Sequence, residues 1–183
     1  HEESARLPMI VVDPDVSADV SRGTTDDRLV EAVDILPTCL DALRTDLHPH
    51  RLEGRSLLPL LQGHEPASEW REAAFSELGY TFRQARLTLG LDPHDARAFM
   101  VRTADWKYIH YEGFQPQLFD LKADPHELRD LGLSAEHAST RAELHERLFT
   151  WLRTRRTRAT VTEEMAAQRT ASSRRRGVII GEW

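Results

Sequence analysis

The sequence predicts an α/β chain in which an apolar strand and a helix precede a small antiparallel sheet packed by a long C-terminal helix. Three observations carry this. The run "RLPMIVVDP" (6–14) is apolar and closes on Asp13-Pro14. Three short strand-like segments follow one another between residues 98 and 121. Leu144, Leu148, Trp151 and Leu152 then recur at i, i+4, i+7 and i+8, the buried stripe of a helix.

Residues 6–14 read as a buried strand, because an apolar run without alternation suits a strand covered on both faces. A polar loop (15–27) and a short extended or helical piece, "RLVEAV" (28–33), follow. "DILPTCLDAL" (34–43) predicts a helix. Asp34 would cap its first-turn amides, and Pro37 falls where a missing N–H matters little. Ile35, Leu36, Leu40 and Leu43 give its apolar stripe. "RSLLPLLQG" (55–63) is apolar, contains a proline and stops at Gly63.

After Gly63 the pattern becomes that of short strands. "REAAFSEL" (71–78) predicts one. "GYTFRQARLTLGLDPHDAR" (79–97) is an arginine-bearing insertion with helical character. "AFMVRT" (98–103), "WKYIHY" (106–111) and "QLFDL" (117–121) predict three more in antiparallel series. In "DPHELRDLG" the expected arrangement is a capping box: Asp124 as N-cap, Pro125 at the first helical position and Glu127 at the third. Ser134 is expected to open the long helix, which runs to about Arg156. The expected organisation is thus 1–63, 64–156 and a basic arm, 157–183, ending in "GVIIGEW".

Bulk composition narrows the function classes. The chain has 183 residues, 40% hydrophobic and 30% charged, which is globular rather than disordered. No apolar run is long enough for a membrane-spanning helix, and no membrane partner is expected. A single cysteine, Cys39, rules out an intrachain disulfide and a multi-cysteine zinc site. That fits a reducing compartment, and a cytoplasmic location is expected. The chain opens on His1 rather than Met, so it is expected to be processed or part of a longer protein. The net charge of -6 is unevenly spread: residues 151–183 carry eight Arg and three Glu, a net of +5, against -11 elsewhere. A basic arm can meet nucleic acid or an acidic protein surface. No aromatic side chains interleave these arginines as single-strand binding would want, so docking on an acidic body is the expectation.

The chemistry-bearing residues do not assemble into a recognisable centre. The span Thr103–Leu128 holds Asp105, Lys107, Tyr108, His110, Glu112, Asp120, Asp124, His126 and Glu127. Alternation splits it: Lys107, Ile109 and Tyr111 face one way, Trp106, Tyr108 and His110 the other. His110 therefore reads as a packed sheet histidine rather than a general base. Cys39 lies mid-helix, away from the helix start that would activate a thiol, and is expected to be a small buried hydrophobe. "HPH" (48–50) offers two imidazoles, but its neighbours are poor ligands. No G-x-S-x-G elbow and no glycine-rich phosphate loop occurs.

Several segments, in order, resemble the C-terminal part of a sulfatase, a family of the alkaline phosphatase superfamily. They are "EESARLPMIV", "VDILPTCLDAL", "LEGRSLLPLLQG", "AFMVRTADWKYIHYEGFQPQLFDLKADPHELRDLG" and the helix after it, covering about residues 2–155. The arm, with "RRTRATVTEE" and "RRRGVIIGEW", is similar to the bacterial phosphonate monoester hydrolase/arylsulfatase branch. The resemblance implies an alkaline phosphatase-like α/β fold, of which this is the C-terminal part: the last strand and helix of the large mixed sheet, then the small antiparallel sheet. It implies a full-length parent that hydrolyses sulfate, phosphonate or phosphate esters. That parent would use a formylglycine and a divalent metal (Ca, Mg, Mn or Zn).

The family's catalytic motifs cannot be placed on this chain. There is no C-x-P-S-R (Cys39 precedes Leu-Asp-Ala-Leu), no Asp-His-Gly and no Asn at all, and His1 stands where the family has an aromatic. No catalytic or metal-binding residue is therefore assigned, and the expected partner is the missing N-terminal catalytic part. The loop 79–97, with Tyr80, Arg83 and Arg86, is the candidate for a substrate rim, since arginine suits paired contacts with such oxyanions. The resemblance of the arm to that branch implies a homo-oligomer, with Arg174, Arg175, Arg176 and Trp183 as candidate contacts. The alternatives are an interaction module built on the arm, and nucleic-acid binding through its arginines.

Overall fold

A computed structural model describes residues 6–46, 51–64 and 69–155, with isolated positions 162, 164, 165 and 168. The chain divides into two compact units, His1–Glu31 with Pro59–Thr154, and Ala32–Leu58 with Arg155–Trp183. Among the described residues no helix is long and apolar enough to cross a membrane.

The first unit is organised by a four-stranded antiparallel sheet. Its strands are β1 (Ala74–Gly79), β2 (Arg97–Arg102), β3 (Trp106–Tyr111) and β4 (Gln117–Asp120), in spatial order β1-β2-β3-β4. The register pairs Phe75 with Val101, Val101 with Tyr108 and Tyr108 with Leu118. With a side-chain period of two, these fall on one face. A long helix, Ala138–Thr154, covers that face, and Leu144 and Leu148 enter the core beside Phe99, Val101, Tyr108 and Leu118. Trp151 stacks on Phe75 with ring centroids 4.8 Å apart. The β2–β3 turn is tied by Thr103, whose Oγ1 accepts from Trp106 N at 3.1 Å and whose N donates to Trp106 O at 2.8 Å.

The polypeptide before the sheet is anchored to it within the same unit. Phe75 N donates to Glu31 Oε1 at 2.7 Å, Arg71 pairs with Glu31 at 2.8 Å, and Trp70 Nε1 donates to Leu29 O at 2.8 Å.

The expected strand at 6–14 does not form. A strand needs a neighbour to take its amides and carbonyls, and no described segment pairs with it. Leu7, Ile10 and Val12 are 72%, 87% and 74% exposed instead.

In the second unit, α1 (Ile35–Ala42) forms where expected, but its capping differs. Asp34 makes no side-chain bond to the first turn; it is fully buried and its Oδ1 accepts from Arg55 N at 2.8 Å. Thr38 Oγ1 accepts from Leu57 N at 2.9 Å. These bonds draw 54–57 against the helix start so closely that a Cβ on Gly54 would lie 2.0 Å from Val33 O. Pro37 is buried, whereas Ile35, Leu36 and Leu43 are exposed, so the predicted apolar stripe is not covered among the described residues. Cys39 is likewise exposed, contrary to the expected buried position. Where the chain re-enters the first unit at Pro59, a one-turn helix, α2 (Leu58–Leu61), accommodates the proline.

Two helix expectations after β4 also change. Residues 124–130 form turns, not a capped helix. Asp124 Oδ2 accepts from Arg129 N at 2.8 Å, and Glu127 takes a positive φ of 54°. The reason is Lys107: its Nζ meets Glu127 Oε1 at 2.7 Å with both side chains enclosed, so the glutamate turns inward rather than back to the cap. Ser134 precedes the long helix by a turn; its carbonyl accepts from Arg141 Nη1 at 3.0 Å.

Candidate functional site

The insertion 79–97 forms a short helix, α3 (Gln84–Leu89), ended by Gly90 in the left-handed conformation (φ 66°). The long helix of residues 138–154 is accordingly α4. The loop is tied down by its own backbone: Tyr80 N donates to Ala96 O at 2.9 Å, and Arg83 N to Tyr80 O at 2.9 Å.

The three rim candidates have different surroundings. Arg86 Nε donates to Thr81 O at 2.7 Å and Nη1 to Leu91 O at 3.1 Å, so its guanidinium closes the loop on itself. Arg83 stands at the start of α3, exposed. Tyr80 lines a cleft of about 590 Å³ with Leu89, Tyr111, Phe114, Gln117 and Asp130. The structure thus places Tyr80, but neither Arg83 nor Arg86, in that cleft wall. Arg174, Arg175, Arg176 and Trp183 lie outside the described residues, as does "HPH" (48–50).

The cleft has aromatic walls and a hydrogen-bonding floor. Tyr111 Oη donates to Gln117 Oε1 at 2.9 Å. Asp130 Oδ1 accepts from Leu118 N at 3.1 Å and Gly132 N at 2.8 Å. Burial, then Tyr80, then Asp130 raise the Tyr111 phenol above its ordinary range, so it serves as a neutral donor. This set can bind hydroxyl or amide groups. It holds no activated nucleophile and no base–orienter pair of the kind acid–base hydrolysis requires.

The other sheet face behaves as alternation predicts. His110 packs edge-on to Phe149 at 5.0 Å and near His145 at 5.7 Å, and its Nε2 lies 3.4 Å from Glu112. Tyr108 Oη is 3.0 Å from His145 Nδ1. Burial, then the neighbouring His110, lower the His145 pKa, with Glu146 opposing. Sequence reading passed over Arg141 and His145, although their i, i+4 spacing places them on one helix face. It also passed over Gln117 and Asp130, which only the fold brings beside Tyr111.

The described residues do not fit a metal centre. Among them no three His, Cys, Asp or Glu side chains gather so as to hold an ion. Cys39 lies exposed in the middle of α1 and lacks the motif that formylglycine formation needs.

Comparison with known proteins places these features. Residues 1–154 match the family described as N-sulphoglucosamine sulphohydrolase, C-terminal. The chain is 29% identical over 152 residues to the multifunctional alkaline phosphatase superfamily protein PehA of Trinickia caryophylli, covering 81% of this chain and 29% of that protein. It is 31% identical over 152 residues to an N-acetylglucosamine-6-O-sulfatase of Bacteroides thetaiotaomicron, covering 81% of this chain and 25% of the relative. The phosphonate monoester hydrolase of Agrobacterium radiobacter superposes with a TM-score of 0.63 at 32% identity, over 76% of this chain and 29% of that one. The chain thus spans less than a third of each.

Proposed function

The chain belongs to the sulfatase family, as a C-terminal portion within the alkaline phosphatase superfamily, and from that premise we propose that its parent is a metal-dependent hydrolase of sulfate esters or of phosphonate and phosphate esters. The observation that carries this reading is the match along residues 1–154, together with the 0.63 superposition on a phosphonate monoester hydrolase. The nucleophile and metal ligands belong, on this reading, to a part of the parent outside these 183 residues. The chain's contribution, on this reading, is scaffold and rim: β1 and β2 carry the loop 79–97 between them, with Tyr80 in the cleft wall and the exposed Arg83 at its edge toward substrate.

The apolar segment at 6–12 supports the same assignment of partner. Leu7, Ile10 and Val12 are exposed, which is unfavourable for a free surface and suits a strand seated in a larger sheet of the parent.

Assay of the purified full-length parent on an aryl sulfate and a phosphonate monoester tests the reading. Turnover of one or both is expected, lost on exhaustive chelation and regained with a divalent metal. Turnover that survives complete metal removal would sink it. In the same assay, Arg83→Ala is expected to raise KM severalfold, by about 1 kcal/mol, with the melting midpoint unchanged; an unaltered KM would remove Arg83 from the rim.

A further inference from the structure

A second pocket, of about 360 Å³ and open to solvent, lies between β3 and the N-terminal half of α4. Its wall is mainly apolar and includes Tyr108, His110, Phe114, Pro116, Arg141 and His145. Its volume lies within the range of small-molecule sites, about 300–1,000 Å³. Two alanines line its helix side. Ala138 and Ala142 precede Arg141 and His145 by three residues each, so they share their helix face, and a longer side chain at either would enter the space.

The chemistry of the wall is asymmetric. Arg141 is held by its bond to Ser134 O at 3.0 Å and makes no ion pair with a described carboxylate. Glu112 stands instead against His110, 3.4 Å from its Nε2. The charge of Arg141 acts on the Tyr108 hydroxyl, pulling against the rise that burial causes. Tyr108 Oη in turn engages His145 Nδ1 at 3.0 Å. Aromatic and proline surfaces thus stand beside one guanidinium with donors to spare.

The geometry points to a binding site for a small aromatic carboxylate, with its carboxylate on Arg141 and its ring against Phe114, Pro116 and Tyr108. A planar carboxylate matches the guanidinium fork, and one fixed cation matches one negative charge. A ring is favoured by the aromatic wall. A doubly charged phosphate would call for further fixed cations, and a neutral ring would leave Arg141 without a counter-charge.

Isothermal titration of benzoate, benzamide and inorganic sulfate into the full 183-residue chain, at about pH 7.5, tests this. Benzoate is expected to saturate one site, with benzamide and sulfate binding about tenfold more weakly or worse. Arg141→Gln should weaken benzoate by about tenfold or more. Ala142→Leu keeps the charge but fills the space, and should abolish binding; circular-dichroism melts verify that both variants fold. In the unsubstituted chain, benzoate should shift the amide resonances of residues 108–116 and 138–145. The proposal is overturned by shifts confined elsewhere, by benzamide matching benzoate, by undiminished binding to folded Ala142→Leu, or by no benzoate binding up to about 50 mM.

Discussion

Lys107 carries a charge into a strand between Trp106 and Tyr108, and meets Glu127 at 2.7 Å with both side chains enclosed. Removing one partner leaves a buried charge without its counter-ion, whereas replacing both with apolar groups does not. Lys107→Met and Glu127→Leu are each expected to lower the unfolding free energy by about 3–5 kcal/mol, and the double variant by clearly less than the sum. Urea denaturation measures this; additive losses would contradict the coupling. The sequence "DPHEL" matches a helix start residue by residue, yet Glu127 belongs to Lys107, twenty positions away. Local pattern could not reveal a partner that only the sheet register supplies.

His145 is the residue with a readable pH signature. Its pKa is lowered, by burial first and by His110 second. The folded state therefore takes up its proton less readily than the unfolded chain, whose histidine titrates near 6.5. Its contribution is complete above that value and is lost as pH falls through about 6.5 towards the depressed folded pKa. Urea midpoints at about pH 7.5 and 5.5 check the sign: the unsubstituted chain should lose more stability on acidification than His145→Gln. Equal losses would show that His145 is not the group responsible.

At the scale of elements, α4 and the sheet hold each other. Leu148 is fully enclosed between them, and Leu148→Ala is expected to cost about 2–5 kcal/mol through lost burial and a residual cavity. A loss below about 1 kcal/mol in urea denaturation would mean that the helix is not docked as described. Gly54 tests the other unit. Its missing side chain lets 54–57 close on Asp34 and Thr38, so Gly54→Ala should destabilise by about 1–3 kcal/mol, measured in the same way. These elements differ in how far sequence reveals them. The strands at 97–120 and the stripe at 144–152 were readable because one face of each is buried, which imposes a period of two or about four. The run at 6–14 has the composition of a strand, but pairing is not a property of a single segment. Among the described residues no strand pairs with it, and it stays irregular. The apolar side of α1 shows the same limit: its stripe is real in sequence, yet Ile35 and Leu36 are exposed.

For the whole molecule, the same exposed residues bear on function. Leu7, Ile10 and Val12 leave apolar surface at 7–12, and on the function proposed above it would meet a larger sheet of the parent. The family match covers residues 1–154, and the chain spans less than a third of each relative. The candidate cleft was readable only in part. Tyr80 came from the arginine-bearing loop that the sequence singled out, while Tyr111, Gln117 and Asp130 joined it through the fold. The absent catalytic motifs were the most direct reading of all, because a C-x-P-S-R or Asp-His-Gly sequence is either written in the chain or not. The most direct measurement follows from this. The purified 183-residue chain and its full-length parent are assayed side by side, with divalent metal, on an aryl sulfate and a phosphonate monoester. Turnover by the parent and none above blank by the chain is the predicted result; metal-dependent turnover by the chain itself would contradict the account.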